Sequence, residues 1–316
     1  MPQRFPLVPI ALAAASALAL AGCSPTDAAG QSDGVEIVAS TNVYGSIALA
    51  VAGGDAAITS IIDSSTQDPH SYAASAHDRL AVTKADIVIE NGGGYDPFMD
   101  ALLEGAGNPV VLRASEISGL MPDDEHDHAD DEASEAEHDH VEGFNEHVWY
   151  SLEAMTRVAQ RLAEELGALE PSKADTFAAN SERFTGELAA LLDTVHGLGD
   201  EHGGEQVLIT EPVPLYLLED AGLVNMTPAA FSEAVEEGND VAATVVKKML
   251  DLVDSGDIAL LAYNEQTSGP LTEQVKNAAE AASVPVVSFT ETLRDGDDYV
   301  SWMTANIDAL TKALNA

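Results

Sequence analysis

The chain has 316 residues, of which 54 are acidic and 13 are lysine or arginine, so its formal net charge at pH 7 is −41. Such a surface repels nucleic-acid phosphates and anionic lipid head groups, which excludes nucleic acid as a partner. Because 46% of the residues are hydrophobic, the chain can bury a large core, and its length predicts one large or two medium-sized domains.

The amino terminus has the pattern of a lipoprotein signal peptide. Its apolar run at 7–21 is shorter than the roughly 20 residues that span a bilayer, and it ends in LAGC, which resembles a bacterial lipobox with Cys23 as the lipidated residue. We therefore predict a signal peptide at 1–22, a flexible tether at 23–34 and a lipid anchor that holds the folded part outside the cytoplasmic membrane. The alternative is an ordinary cleaved signal peptide that contains a cysteine.

From residue 35 onward, short apolar runs rich in β-branched residues alternate with helical periodicity, which is typical of βα units around a parallel sheet. In the first half, strands are predicted at 35–41, 56–63, 86–90 and 109–114, with helices at 43–53, 75–85 and 96–105. In the second half, strands are predicted at 206–210, 223–225, 258–263 and 284–289, with a closing helix from about 298.

The segment 122–146 interrupts this pattern with 12 acidic residues, four histidines and no lysine or arginine. Its composition predicts a loop outside the core. The histidines could form an auxiliary loop that concentrates divalent cations, or the segment could be a solvated insertion. The candidate auxiliary ligands are His126, His128, His138 and His140.

Two long helices are predicted in the middle of the chain. One covers 149–166, and the other begins at Pro171 and reaches about residue 198, which makes it roughly 40 Å long at 1.5 Å per residue. We predict an α/β fold of two lobes, each a parallel sheet flanked by helices, bridged by one long rigid helix. The predicted divisions are an N-terminal lobe at 35–168, a linking helix at 169–200 and a C-terminal lobe at 204–316.

Four polar residues stand where open α/β sheets bind ligands, beyond the carboxyl ends of strands. His70 follows the second predicted strand and His147 precedes a helix, whereas Glu211 and Glu291 lie directly beyond strands. Two imidazoles and two carboxylates suit Zn(II), Mn(II) or Fe(II). Taken singly, each residue also fits a commoner structural role, as a capped loop histidine or a surface glutamate.

The segments around these residues resemble the solute-binding proteins of zinc and manganese ABC transporters. DPHSY at 68–72 and DIVIENGGGYDPF at 86–98 resemble a DPHxYEP-type motif and the strand that follows it, and NEHVWYS at 145–151 resembles an NPHxW segment. TEPVPLYLLEDAGL at 210–223 resembles the segment of the third ligand, and the stretch from residue 284 to 310 resembles the closing segment that supplies the fourth.

The resemblance covers the chain from about residue 35 to its end and implies His70, His147, Glu211 and Glu291 as the ligands of one divalent ion between the lobes. It also implies a monomeric protein that catalyses no reaction and passes the ion to a membrane permease and its ATPase. Glu211 stands where many zinc-type members have histidine, and Glu291 where aspartate is usual. Oxygen ligands favour Mn(II), whereas the Irving–Williams order and the histidine-rich loop favour Zn(II), so we expect zinc to be preferred and manganese to come next.

Two other functions compete with metal delivery. An exported metal-dependent hydrolase would use the same ligand types, but the sequence contains neither HExxH nor GxSxG. A protein for a siderophore or another organic solute would need a wide pocket lined by aromatic residues or arginines, and the chain has seven arginines.

Several neighbours of the candidate ligands are expected to support them. Tyr95, Trp149 and Tyr150 are predicted to pack over the site and exclude water. Asn145 and Glu146 are candidates for orienting the ligands through hydrogen bonds.

Overall fold

The computed structural model describes Met1 and residues 34–64, 67, 69–122 and 143–316. The predicted signal peptide, the lipidation site Cys23 and the tether before Gly34 lie outside these residues. So do the four histidines of the acidic segment, His126, His128, His138 and His140. Within the described ranges, no helix combines the length and the apolar character that crossing a bilayer requires.

The first sheet has four parallel strands in the order β2-β1-β3-β4. The strands are β1 (Val35–Thr41), β2 (Ala56–Ile62), β3 (Ile87–Glu90) and β4 (Val110–Arg113). Each is followed by a helix: α1 (Asn42–Ala52), α2 (Ala76–Lys84), α3 (Phe98–Leu103) and α4 (Ala114–Ser118). The central strands β1 and β3 are buried on both faces, which explains why each contains three consecutive apolar residues, at 37–39 and 87–89.

Two long helices connect the sheets, α5 (Leu152–Leu169) and α6 (Ala174–His202). Both begin later than predicted, because a 3₁₀ turn precedes each one, at Val148–Tyr150 and at Pro171–Lys173. The start of α5 is fixed by Ser151, whose hydroxyl oxygen accepts a hydrogen bond from the Ala154 amide at 3.3 Å. With 29 residues, α6 is about 43 Å long at 1.5 Å per residue.

The second sheet is also parallel, in the order β6-β5-β7-β8. Its strands are β5 (Gln206–Ile209), β6 (Val224–Asn225), β7 (Ile258–Asn264) and β8 (Val286–Phe289). Its helices are α7 (Leu215–Asp220), α8 (Ala229–Glu236), α9 (Ala243–Val253), α10 (Pro270–Ala281) and α11 (Tyr299–Leu314). Because β7 lies between β5 and β8, its last residue, Asn264, stands between the two segments that follow those strands.

One hydrophobic core runs through both halves of the fold. Its buried side chains come from both sheets and from the helices that pack on α6, which contacts α1 and α5 on one side of the molecule and α7 and α11 on the other. Two smaller clusters lie against the outer faces of the sheets. The prediction of two parallel sheets flanked by helices and joined by a long helix is thus confirmed, and the sheets share a core.

Candidate metal site

Three of the four predicted ligands meet at the carboxyl ends of the strands. His70 lies between β2 and α2, His147 directly precedes a 3₁₀ turn, and Glu291 follows β8. One ligand atom from each residue lies within 4.8 Å of the others. Because zinc bonds are about 2.0–2.2 Å long, two atoms bound to one zinc ion lie at most about 4.4 Å apart. Small side-chain rotations therefore suffice to close this set around an ion.

The fourth predicted ligand, Glu211, lies outside that set of three but is linked to it by an amide. The Asn264 Nδ2 atom donates to Glu211 Oε2 at 2.7 Å and to Glu291 Oε1 at 2.8 Å. Glu211 Oε1 accepts a second hydrogen bond from the Thr267 hydroxyl. Both glutamates are buried. Asn264 holds their carboxylates next to each other because β7 separates β5 from β8. The sequence analysis did not single out this residue, although it directly follows the predicted strand 258–263.

The imidazole of His147 is held in one orientation by Asn145. The His147 Nδ1 atom lies 2.8 Å from Asn145 Oδ1, and the Asn145 amide donates to the Pro212 carbonyl at 3.0 Å, which fixes which atom of the amide is the oxygen. Since an amide oxygen only accepts, Nδ1 donates, and the lone pair for a metal ion is on Nε2. This is the orienting contact that the sequence analysis predicted for Asn145.

Aromatic side chains form one wall of the site. The Tyr95 ring centroid lies 5.0 Å from that of His70 and 5.8 Å from that of His147, and the Trp149 ring lies 5.1 Å from His147. The Tyr95 hydroxyl donates to Glu291 Oε2 at 3.2 Å. Burial, and then the charge of Glu291, raise the pKa of Tyr95 well above its usual value, so this hydroxyl stays protonated and remains a donor. The wall excludes water from this side of the ligands.

The third predicted aromatic residue, Tyr150, supports the site from the backbone. Its hydroxyl donates to the Thr290 carbonyl at 2.7 Å, next to Glu291. A second hydrogen bond joins the same two parts of the fold: the Tyr299 hydroxyl donates to the Trp149 carbonyl at 2.6 Å. These two bonds tie the segment that carries His147 to the half of the fold that carries Glu291.

Two further carboxylates lie beside the predicted ligands. Glu146 and Glu236 each place an oxygen within 4.8 Å of a His70 nitrogen and of each other. Burial raises the pKa of Glu236 to about 10, and the next causes are the charges of Glu146, Glu211 and Glu291. No basic side chain is among these causes. Glu146, Glu211 and Glu291 therefore concentrate negative charge around Glu236, which a divalent cation would offset. Glu236 was missed because nothing in the local sequence of α8 distinguishes it from the neighbouring surface acids.

Comparison with known proteins identifies the family. The family model described as "Zinc-uptake complex component A periplasmic" (ZnuA) matches residues 37–313. The zinc-binding lipoprotein AdcA of Streptococcus pneumoniae serotype 4 is 26% identical over 311 residues, which cover 96% of this chain and 60% of AdcA. The manganese-binding lipoprotein MntA of Halalkalibacterium halodurans is 22% identical over 307 residues, which cover 95% of each chain. The chain thus spans less than two thirds of AdcA.

A solved structure shares the fold. The periplasmic zinc-binding protein TroA from Treponema pallidum superimposes with a TM-score of 0.68 at 19% identity, over 88% of this chain and 98% of TroA. The family description and the names of both relatives denote metal-uptake or metal-binding proteins, in agreement with the prediction that the chain catalyses no reaction. Because the family model matches most of its length, the chain belongs to the ZnuA family of periplasmic zinc-uptake components.

Proposed function

We propose that the chain captures one divalent transition-metal ion outside the cytoplasmic membrane and delivers it to an ABC permease and its ATPase. The ligands are His70, His147, Glu211 and Glu291, two from each half of the fold. The protein acts as a monomer that is anchored to the membrane through lipidated Cys23. Its lobes are residues 35–168 and 204–316, joined by the helix within 169–200.

The observation that carries this proposal is the meeting of imidazoles and carboxylates from separate parts of the sequence in one buried space. His147, Glu211 and Glu291 are each at most 3% exposed. Buried carboxylates are costly unless they are paired or bind a cation. The charged residues that raise the pKa of Glu236 most are Glu146, Glu211 and Glu291, and all three are acidic. A bound cation is the simplest arrangement that stabilises such a set.

Zinc is the expected cargo. Imidazole and carboxylate ligands bind Zn(II) more tightly than Mn(II) in most sites, in line with the Irving–Williams order. Of the similar proteins, AdcA is named as zinc-binding and MntA as manganese-binding. We expect protein purified without added metal to retain one tightly bound ion. In a competition titration of the demetallated chain, we expect Zn(II) to displace Mn(II). Tighter binding of Mn(II) would reverse the assignment of the cargo, and the absence of tight binding of either ion would contradict the proposed function.

The affinity for zinc is expected to fall as the solution becomes acidic. Both imidazoles must be neutral to bind the ion, and imidazole has an ordinary pKa of about 6.5. Each proton that the ion must displace lowers the affinity up to about tenfold per pH unit below that pKa, so two imidazoles give up to about 100-fold per unit. Competition with a chelator of known pH dependence, measured from pH 5 to 8, checks this slope. A flat profile would argue against histidine ligands.

Replacing Asn264 is expected to weaken zinc binding although it removes no ligand. In Asn264→Ala, Glu211 and Glu291 lose their shared donor and are free to move apart. The loss of a residue that orients a ligand typically costs about 10–100-fold in metal affinity. Asn239→Ala, which changes an exposed amide, is the matched control. Equal affinities for the two variants would mean that Asn264 does not orient the carboxylates.

A further inference from the structure

A cavity of about 530 Å³ opens beside the candidate site. The segment from Gly143 to Glu146 forms one side, and Pro212 together with residues of α8 forms the other. Four of the lining residues are acidic: Glu146, Glu233, Glu236 and Glu237. None of the four proposed ligands, His70, His147, Glu211 and Glu291, is among the described residues of this lining. The cavity therefore reaches the site through Glu146 and Glu236.

Glu146 and Glu236 share a third neighbour, His70. One ligand atom from each of these three residues lies within 4.8 Å of the others. His70, His147 and Glu291 meet the same distance criterion. Glu236 Oε1 is buried and accepts no hydrogen bond within the described part of the chain. The His147 Nδ1 atom lies 3.6 Å from this oxygen, which is too far for a hydrogen bond. This oxygen thus has free capacity for a ligand at the end of the cavity.

We propose that His70, Glu146 and Glu236 form an outer site for a divalent cation and that an ion arriving through the cavity binds there first. The proposal rests on the proposed function, because the outer site shares His70 with the four-residue site. One imidazole and two carboxylates are an adequate ligand set for Zn(II) or Mn(II). With one protein ligand fewer than the inner set, the outer site holds the ion less tightly and exchanges it faster.

Sharing His70 makes the two sites alternatives. His70 contributes one imidazole, so an ion in the outer site and an ion in the inner site compete for it. The ion therefore moves inward by exchanging Glu146 and Glu236 for His147, Glu211 and Glu291 while His70 stays bound. A dication in either position lies among the same acidic side chains, so the transfer avoids a step in which the ion is without carboxylate neighbours.

The test is the rate at which Zn(II) associates with the full chain, followed by stopped-flow tryptophan fluorescence. Trp149 is a suitable reporter because its ring lies 5.1 Å from that of His147. The test variant is Glu236→Gln, and the matched control is Glu237→Gln, which makes the same replacement of a carboxyl group by an amide at the next residue of the same cavity. We expect the association rate to fall at least about tenfold in Glu236→Gln and less than about twofold in Glu237→Gln, since Glu237 is not one of the three residues that meet at His70 and contributes only to the general attraction of the acidic cavity.

A second measurement isolates the outer site. In His147→Ala/Glu291→Ala, two inner ligands are gone but His70, Glu146 and Glu236 remain, and we expect weak Zn(II) binding by calorimetry. Adding Glu236→Gln should abolish that binding, whereas adding Glu237→Gln should preserve it. Circular dichroism establishes that each variant is folded, and Glu146→Gln in the same background replaces Glu236→Gln if the latter does not fold.

The outcomes separate this inference from the function on which it rests. If the unchanged chain binds no Zn(II), the proposed function is wrong. If the unchanged chain binds Zn(II) but Glu236→Gln and Glu237→Gln behave alike in both measurements, the outer site is wrong and the function stands.

Discussion

His70→Ala/Glu211→Ala is expected to lose more than about 100-fold in affinity for zinc. The double substitution removes one proposed ligand from each half of the fold. Replacing a residue that only orients a ligand already costs about 10–100-fold, and the loss of two direct ligands costs more. Metal content after purification without added ions, together with competition against a zinc chelator, measures the effect.

The control for this variant is His77→Ala/Glu187→Ala. It changes the same two residue types at exposed positions in the helices α2 and α6. We expect the control to keep the metal content and the affinity of the unchanged chain. Full zinc stoichiometry in His70→Ala/Glu211→Ala would mean that the ion is held by other residues.

Zinc is expected to raise the melting temperature of the protein by about 10 °C. An ion that binds only the folded state stabilises it by about 4.1 kcal/mol when its free concentration is 1,000 times Kd. For a large domain, each kcal/mol shifts the melting temperature by roughly 2–4 °C. Differential scanning calorimetry of the demetallated chain, with and without buffered Zn(II), gives the shift directly.

The same scan on His70→Ala/Glu211→Ala separates the site from weaker binding elsewhere on this acidic chain. At a free zinc concentration of 1,000 times Kd for the unchanged protein, a roughly 100-fold loss of affinity leaves about 1.4 kcal/mol of stabilisation, so the variant should show at most about a third of the shift. An equal shift in the two proteins would locate the stabilising ion outside the four residues.

The strands were predictable because each carries its own signal. In a parallel sheet that is covered on both faces, the strand residues face apolar surroundings on both sides, so a run such as the one at 87–89 is apolar throughout. Parallel strands also end at a common edge, which is why residues that follow strands, such as Glu211 and Glu291, could be proposed as neighbours. The starts of α5 and α6 were less predictable, since helical periodicity continues through the 3₁₀ turns that precede them.

The residues that support the site could be predicted only in part, because most of them are brought there by the tertiary structure rather than by their position in the sequence. The role of Asn264 follows from the order of the strands, which places β7 between β5 and β8. Glu236 lies at the end of α8, which lines the cavity, and in the sequence it is one of four acidic residues between positions 233 and 240. Asn145 was predictable because it lies two residues from the histidine that it orients.

The continuous core has a consequence for how an ion leaves. Moving the two sheets apart would expose buried apolar surface at about 25 cal/mol per Å², so even a few hundred Å² costs several kcal/mol. Residues 69–75, which include His70, lie outside that core, and a single hydrogen bond there is worth about 0.5–1.5 kcal/mol. We therefore expect the two sheets to keep nearly the same relative position in the loaded and the empty protein. Binding and release of an ion would then change the conformation of residues 69–75 more than the separation of the two sheets.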